Sequence, residues 1–328
     1  MDFVVKEYNK KYEINFGKIT QILGYNFKIK RYIYESILKH FSLYKYQDFD
    51  EHMENNITID GEVPGRKEYR VINIDNREQL IEQISINKNT LIYEYLKNVL
   101  ETLSCQRMLN VVDENLTNIY LAINEKLNSK VGKISIDYEM QNLFYIVSKS
   151  DVYTNSGEDI ETLSNYDLLI VLLKLVKENN SVNPEKTLIL LNNIDHLCTR
   201  FEYDKIVEFL RDYDESIFAI MFISIDKYVY ISKEVLNNIV VINDTTFQVP
   251  KYESIEEYLL GHYPMNYEFE ETEIVQLLKN TLNSIGIEND IISYKELLVK
   301  KLINKAICIN DSYDFNMETS ELSCLNTK

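Results

Sequence analysis

The chain has 328 residues, more than one compact core usually needs, so two or three structural units are expected. Hydrophobic residues make up 45% of it and aromatic residues 12%, which excludes a largely disordered protein. The net charge is −17, and taken alone this charge argues against nucleic acid as a partner.

The first 75 residues are predicted to form strands and one helix. Apolar alternation and short apolar runs predict strands over 3–8, 12–16 and 18–24, with a turn at 9–11. From Lys28 to Phe41 the apolar residues recur every four positions, which predicts a helix. A polar, acidic loop is expected after it, and residues 68–74 predict another strand.

Residues 76–128 show helical spacing only, and Gly132 is expected to end this helical block. Residues 133–147 predict one or two short strands, and residues 154–159 predict a loop. Because strands and helices alternate before and after it, the helical block is interpreted as an inserted domain.

Strand and helix patterns alternate again in the second half. Helices are predicted over 164–179 and 201–212, and strands over 187–191, 217–224 and 239–243. Near-continuous apolar strands separated by helices predict a parallel sheet that is covered on both faces. Three more helices are predicted over 255–261, 271–286 and from Ser293, where Glu296 completes a capping box. From about residue 310 the tail loses periodicity and is expected to be disordered.

One apolar strand, KTLILLNNID, ends near an acid, Asp195, as the magnesium-side strand of many P-loop NTPases does. The matching phosphate loop would need G-x-x-x-x-G-K-[ST]. The turn before the first helix, residues 24–31, has one glycine and no such motif, and Gly17-Lys18 is followed by Ile19 instead of Ser or Thr. The sequence therefore predicts an NTPase-like sheet without nucleotide chemistry, in which Asp195 is a helix cap or a surface acid.

Positive charge is concentrated near the N-terminus. Residues 1–46 carry nine Lys or Arg against four acids, whereas residues 47–65 carry six acids and no Lys or Arg. Lys28, Lys30 and Arg31 stand where the phosphate loop would be, at a helix start whose partial positive charge and free N–H groups favour phosphate. These three are the DNA-binding candidates, and the alternative is an ordinary solvated helix start. Weaker candidates are Lys10, Lys11 and Lys45.

Several classes of protein are excluded by simple patterns. The N-terminal residues lack the pattern of a signal peptide, and the most apolar stretch, residues 167–176, is half the length of a membrane span. The four cysteines form no C-x-x-C pair and are expected to be free thiols in a reducing cytoplasm. No two of the four histidines lie four residues apart, so no zinc site is expected.

An ordered set of short segments resembles a known family. ITQILGYN is followed by Lys28, Lys30 and Tyr32, then by Phe41, Lys45-Tyr46, the strand LILLNNID and Tyr263-Pro264. This set resembles the long form of the Csn-two family, the adaptation proteins of type II-A CRISPR systems. The resemblance covers most of the chain in the right order.

The resemblance implies an α/β fold with a degenerate P-loop-NTPase-like head, an inserted helical leg and a helical C-terminal extension. On this chain the head would comprise 1–75 and 164–250, the leg 76–163 and the extension 251–328. It also implies a homotetrameric ring without enzymatic activity that threads double-stranded DNA through its central hole during new-spacer acquisition. Calcium would stabilise the ring, with Asp195 as a candidate ligand, and the partners would be the Cas integrase and the effector nuclease.

Two alternatives to this interpretation stay open. The chain could be a protein–protein scaffold of the adaptation complex with little DNA affinity of its own, because its basic N-terminal segment would also suit an acidic protein partner. It could also be an atypical NTPase that uses an unusual loop, although the missing G-K-[ST] argues against this.

Overall fold

The computed structural model describes residues 1–132, 134–137, 147, 149–263, 269–287 and 293–307. Contacts group residues 1–76 and 185–328 into one compact unit, here called the α/β unit, and residues 77–184 into a second, the helical unit. The three-part layout of head, leg and extension stays a prediction. Its boundary at residue 163 differs from the contact grouping, in which the helix over 165–182 belongs to the helical unit.

The strands of the described residues are β1 (Asp2–Glu7), β2 (Lys10–Asn15), β3 (Ile19–Leu23), β4 (Ile57–Ile59), β5 (Arg70–Ile74), β6 (Thr187–Asn192), β7 (Ile217–Phe222), β8 (Ile239–Ile242) and β9 (Thr246–Gln248). The α-helices are α1 (Phe27–Phe41), α2 (Arg77–Ile84), α3 (Leu91–Leu100), α4 (Leu103–Lys130), α5 (Asn165–Val182), α6 (Ile194–Leu197), α7 (Arg200–Arg211), α8 (Tyr252–His262), α9 (Glu271–Thr281) and α10 (Tyr294–Ala306).

The centre of the α/β unit is a six-stranded sheet in the order β5-β6-β7-β3-β8-β9. All neighbouring strands in it are parallel except β8 and β9. Every residue of β3 is buried, as are the first five residues of β6. Continuous burial of this kind is expected of a sheet covered on both faces, so the predicted mostly parallel sheet is confirmed.

Helix α1 packs between the central sheet and a small antiparallel sheet of order β2-β1-β4. Its buried residues Ile33, Ile37 and Phe41 share one core cluster with Phe3 of the small sheet and Phe222 of β7. The spacing of those three helical residues places them on one side of the helix. This packing fixes the start of α1 against the strand ends.

The helical unit contains α2, α3, α4 and α5. Most of its buried apolar side chains come from α2, α3 and α5, including Leu80, Leu91 and Leu172. Ser164 caps α5 by accepting a hydrogen bond from the backbone N–H of Asp167 at 3.1 Å, a contact typical of helix starts. No residue of α4 is buried.

Some sequence predictions need correction. The stretch 47–65 is not all loop, because Ile57–Ile59 forms β4 and Ile57 pairs with Val5 of β1. Strand β9 was also not predicted. Both strands are three residues long, too short for a two-residue period to stand out. The predicted strands over 133–147 fall largely outside the described residues, and 134–137 form no strand.

The helix predicted over 271–286 ends earlier, at Thr281, and the other helix predictions agree with the structure to within a few residues. α4 ends at Lys130 and Gly132 follows with a positive φ of 69°, as expected of a glycine after a helix. Ser293 and Glu296 form the predicted capping box of α10. The tail after residue 307 lies outside the described residues. No described helix combines the length and apolarity needed to cross a membrane.

Candidate functional site

The turn between β3 and α1 is only three residues long and is pressed against β8. Gly24 has a φ of +97°, and a Cβ on it would lie 2.3 Å from the carbonyl oxygen of Ile242. The Asn26 N–H donates to that same oxygen at 3.0 Å. Only glycine tolerates both the conformation and the close approach. The turn is therefore held in one position by its neighbouring strand.

The N–H groups of this turn are used inside the protein. The Tyr25 N–H donates to Asn243 Oδ1 at 2.7 Å, and the Ile29 N–H donates to Asn26 Oδ1 at 3.2 Å. The Phe27 N–H donates to the carbonyl oxygen of Tyr25 at 2.9 Å. The expectation of several free N–H groups for phosphate at this helix start is therefore wrong, although the helix dipole still favours negative charge there.

The predicted basic residues divide into two groups. Five of them are exposed: Lys10, Lys11, Lys28, Arg31 and Lys45. Lys28 and Arg31 lie at the start of α1, and the Arg31 side chain is 80% exposed. Lys10 and Lys11 begin β2, and Lys45 follows α1. The structure therefore brings Lys28 and Arg31 together on one helix start and leaves the other three on separate segments.

Lys30 differs from its two neighbours because it is buried, with 4% of its surface exposed. Its Nζ donates to the carbonyl oxygen of Ile223 at 2.7 Å and to Ser224 Oγ at 3.1 Å, just past the end of β7. Burial lowers the pKa of this ammonium to about 8, and the negative charge of Asp195 opposes that shift. Lys30 therefore does not share the exposed face of Lys28 and Arg31.

Asp195 is neither a helix cap nor a surface acid, so that expectation is wrong. It lies inside α6 and only 3% of it is exposed. Its Oδ2 accepts hydrogen bonds from the backbone N–H groups of Ser224 at 2.6 Å and Ile225 at 2.5 Å. Among the described residues, Oδ1 has no hydrogen-bond partner. Asp195 and Lys30 thus both form hydrogen bonds with the segment after β7, residues 223–225.

These contacts do not provide a calcium site. Calcium takes six to eight oxygen ligands, and one oxygen of Asp195 already accepts two backbone N–H groups while the ammonium of Lys30 is nearby. Within the described ranges, no three His, Cys, Asp or Glu side chains are grouped so that they could hold a metal ion. Calcium binding stays a prediction.

A crevice of about 460 Å³ opens beside Lys30 at the carboxyl ends of β5, β6 and β7. Asp75 follows β5, Asn192 ends β6 and Asn193 follows it, and Ser224 lies beyond the end of β7. The amide groups of both asparagines donate to Asp75 Oδ1, at 2.6 and 3.1 Å. Ligands of open α/β sheets commonly bind at the carboxyl ends of the strands, so this crevice is the candidate small-molecule site of the unit.

Sequence reasoning missed the contacts between the turn after β3 and the residues that follow α9. The Asn243 side chain accepts from Tyr25 and also donates to the carbonyl oxygens of Asn283 and Ile285, at 2.8 and 2.7 Å. These partners are about 40 and more than 200 residues apart in the chain. No local pattern in the sequence predicts contacts over such separations.

Comparison with known proteins identifies the family. The family model described as CRISPR-associated protein Csn2 subfamily St matches residues 4–317. The solved structure described as the crystal structure of Stu0660 of Streptococcus thermophilus is 22% identical, with a TM-score of 0.83 over 99% of each chain. At 22% identity, this structural similarity shows a shared fold and nothing about function.

Two other comparisons add no argument. A structure of the recombination mediator protein RecF with ATP aligns over 76% of this chain and 97% of that chain at 14% identity, but its TM-score is 0.35. No curated protein matches the chain. The family match is sufficient without them, and it confirms the resemblance seen in the sequence. Because the matched residues span nearly the whole chain, the protein belongs to the Csn2 family of CRISPR-associated adaptation proteins.

Proposed function

We propose that this chain is a non-enzymatic protein that binds double-stranded DNA without sequence preference during new-spacer acquisition. The observation that carries the proposal is the exposed pair Lys28 and Arg31 at the start of α1. Two cations beside a helix N-terminus attract phosphate. Phosphate contacts carry no base information, so binding is expected to be independent of sequence.

The proposal also treats the α/β unit as a degenerate P-loop-like head without nucleotide chemistry. A phosphate loop binds nucleotide through converging backbone N–H groups. In the corresponding turn here, the N–H groups of Tyr25, Asn26, Phe27 and Ile29 all donate to acceptors within the protein. A triphosphate would find few of the donors that it needs.

In this proposal four subunits form a ring, duplex DNA passes through its central hole, and calcium stabilises the assembly. The ring acts with the Cas integrase and the effector nuclease of the same system in the cytoplasm. Light scattering should report four times the chain mass of 38.8 kDa. A monomer at micromolar protein with calcium present would contradict the ring.

Gel-shift measurements with linear and covalently closed DNA of equal length test binding and threading together. A closed ring has to be threaded, so with calcium present linear duplex should be bound and closed duplex should not. Without calcium, the ring should be less stable and this discrimination should weaken. Equal binding to both would contradict threading. Failure to shift linear duplex at low salt would favour instead the protein scaffold with little DNA affinity.

A further inference from the structure

Lys30 places a buried ammonium in the strand-end crevice, and the proposed DNA path does not use it. An ammonium has three N–H donors, and the two acceptors of Lys30, the Ile223 carbonyl and the Ser224 hydroxyl, are both neutral. Within the described part of the chain, no carboxylate forms an ion pair with it. Its Nζ also lies 4.9 Å from the centre of the Phe27 ring. A buried charge is normally paired with an opposite charge, whereas the direct contacts of this cation are two neutral oxygens and an aromatic face.

Within the described ranges, Asp195 is the acid whose charge acts on Lys30. Its Oδ2 is already occupied by the two backbone N–H groups after β7. The pKa of Lys30, lowered to about 8 by burial, still leaves the side chain mainly protonated at neutral pH. The crevice therefore contains a positive charge that an anion from solution could compensate.

The acids that line the crevice are neutralised or distant from this end. Glu35 pairs with Arg31 at 2.7 Å and lies 3.9 Å from Lys39. Asp75 follows β5, which is separated from β7 by β6, so two strand spacings, roughly 10 Å, lie between the ends of those strands. Asp75 also accepts from two asparagine amides. The negative charge of Asp75 does act on Arg31, which also lines the crevice. The cationic part of the crevice is therefore its Lys30 end, where no lining carboxylate among the described residues forms an ion pair with the ammonium.

We propose that the Lys30 end of this crevice is a binding site for a small oxyanion of the phosphate class. Lys30 Nζ supplies the buried positive charge, the Ser224 hydroxyl is within the same hydrogen-bond network, and Arg31 can turn from Glu35 towards the ion. Charge-assisted hydrogen bonds of this kind are roughly twice as strong as neutral ones. The crevice, at about 460 Å³, holds such an ion together with its hydration water.

The phosphate group has two sources, free inorganic phosphate and the 5′-terminal phosphate of a DNA end. The second source rests on the proposed DNA function, whereas the first does not. The two are separated by measuring the ion and the DNA in independent assays.

The first assay follows the ³¹P line width of inorganic phosphate in the presence of the full chain. Wild-type protein should broaden the line, and Lys30→Met should abolish at least nine-tenths of the broadening. This is roughly the tenfold loss of affinity that follows when a charge-assisted contact of about 1.4 kcal/mol is removed. Lys30→Arg should keep most of it. Lys126→Met is the control, because it removes an exposed cation on α4, away from the proposed phosphate contacts of α1, and it should behave as wild type.

A second measurement needs no variant and covers the case in which Lys30→Met does not fold. Acylation of individual lysines in the wild type is followed by mass spectrometry, with phosphate or with chloride at equal ionic strength. Phosphate should slow the modification of Lys30 several-fold and leave that of Lys126 unchanged. Equal rates at Lys30 with and without phosphate, or equal loss of line broadening in Lys126→Met and Lys30→Met, would overturn the proposal.

The DNA arm compares linear duplexes that carry a 5′-phosphate or a 5′-hydroxyl group. A preference for the 5′-phosphate that Lys30→Met removes identifies the DNA end as the source. Equal affinity for both duplexes, with phosphate still bound, identifies the free ion. If no duplex is bound while inorganic phosphate is, the proposed DNA function fails and the oxyanion site stands.

Discussion

Neutralising Lys28 and Arg31 together should weaken DNA binding without unfolding the protein. Both side chains are exposed, and the Arg31 contact with Glu35 is an i,i+4 surface pair, a class that contributes little to stability. The double variant Lys28→Gln and Arg31→Gln should therefore unfold in urea at the same midpoint as the wild type. Lys30 is left unchanged, because removing a buried cation would confuse stability with affinity.

Each phosphate contact contributes roughly 0.9 to the slope of log affinity against log salt concentration. The variant loses two contacts in each subunit that touches the duplex, so the slope should fall by at least roughly 1.8. Between 50 and 200 mM salt, the affinity of the wild type should therefore fall by at least roughly tenfold more than that of the variant. The loss should be the same for every duplex sequence.

Filter binding over a salt series, with linear duplexes of unrelated sequence, provides the measurement. A variant that removes two exposed lysines from α4, Lys126→Gln with Lys130→Gln, is the matched control for a change of net charge. An unchanged slope in the α1 variant, or an equal change in the α4 variant, would refute the assignment of Lys28 and Arg31 to the DNA path.

Four further predictions follow from single contacts. Asp195→Ala should lower the free energy of unfolding in urea by about 3 kcal/mol. It leaves two buried N–H groups without their acceptor and Lys30 without the acid whose charge acts on it. The control Asp212→Ala, at an exposed position, should change the free energy of unfolding little. The pKa of Lys30, about 8 when folded against 10.5 for a free lysine, means that the unfolded chain binds more protons between these values. Wild-type stability should therefore rise with pH across that window by about 2–3 kcal/mol relative to Lys30→Met, and parallel curves from urea titrations would contradict this. Gly24→Ala should lower the free energy of unfolding by more than about 2 kcal/mol. Gly132 also has a positive φ but has open space around its Cβ position, so Gly132→Ala should lower it by about 1 kcal/mol. Equal thermal midpoints of the two variants would count against the close approach of Gly24 to β8. Calorimetric titration with ATP and magnesium should show no micromolar binding, and a micromolar affinity would mean that the turn after β3 can rearrange.

The sequence predicted the helices and the longer strands because their apolar periods are sustained. Helix α1 was predicted over Lys28–Phe41 and lies at Phe27–Phe41. The mostly parallel sheet followed from strands that are apolar on both faces. Strands β4 and β9, each three residues long, contain too few residues for any period to be distinguished.

The burial of Lys30 could have been found from the same helical spacing. Lys30, Ile33 and Ile37 lie at i, i+3 and i+7, and such positions share one face of a helix. Ile33 and Ile37 are both fully buried, so the lysine on their face points inward as well. Its charge was taken as a sign of exposure, whereas its position indicated the opposite.

The burial of Asp195 could not have been found in this way. Its two hydrogen-bond donors, Ser224 and Ile225, are 29 and 30 residues further along the chain. They meet Asp195 only because β6 and β7 are neighbours in the sheet. Contacts that depend on strand order cannot be derived from local patterns, and the same holds for the contacts of Asn243.

The strong negative charge of the chain and a DNA-binding role are compatible for a physical reason. At physiological salt a phosphate responds mainly to charges within about 8–10 Å, so the two exposed cations at the start of α1 matter more than the net charge of −17. The acidic residues of the rest of the chain repel DNA at low salt, and this repulsion disfavours contacts of DNA with other parts of the surface. Arg31 has to exchange Glu35 for a phosphate, whereas no carboxylate within the described residues pairs with Lys28, so the Lys28 contact costs less to form. The start of α1 can therefore hold a phosphate even in a protein that repels DNA over most of its surface.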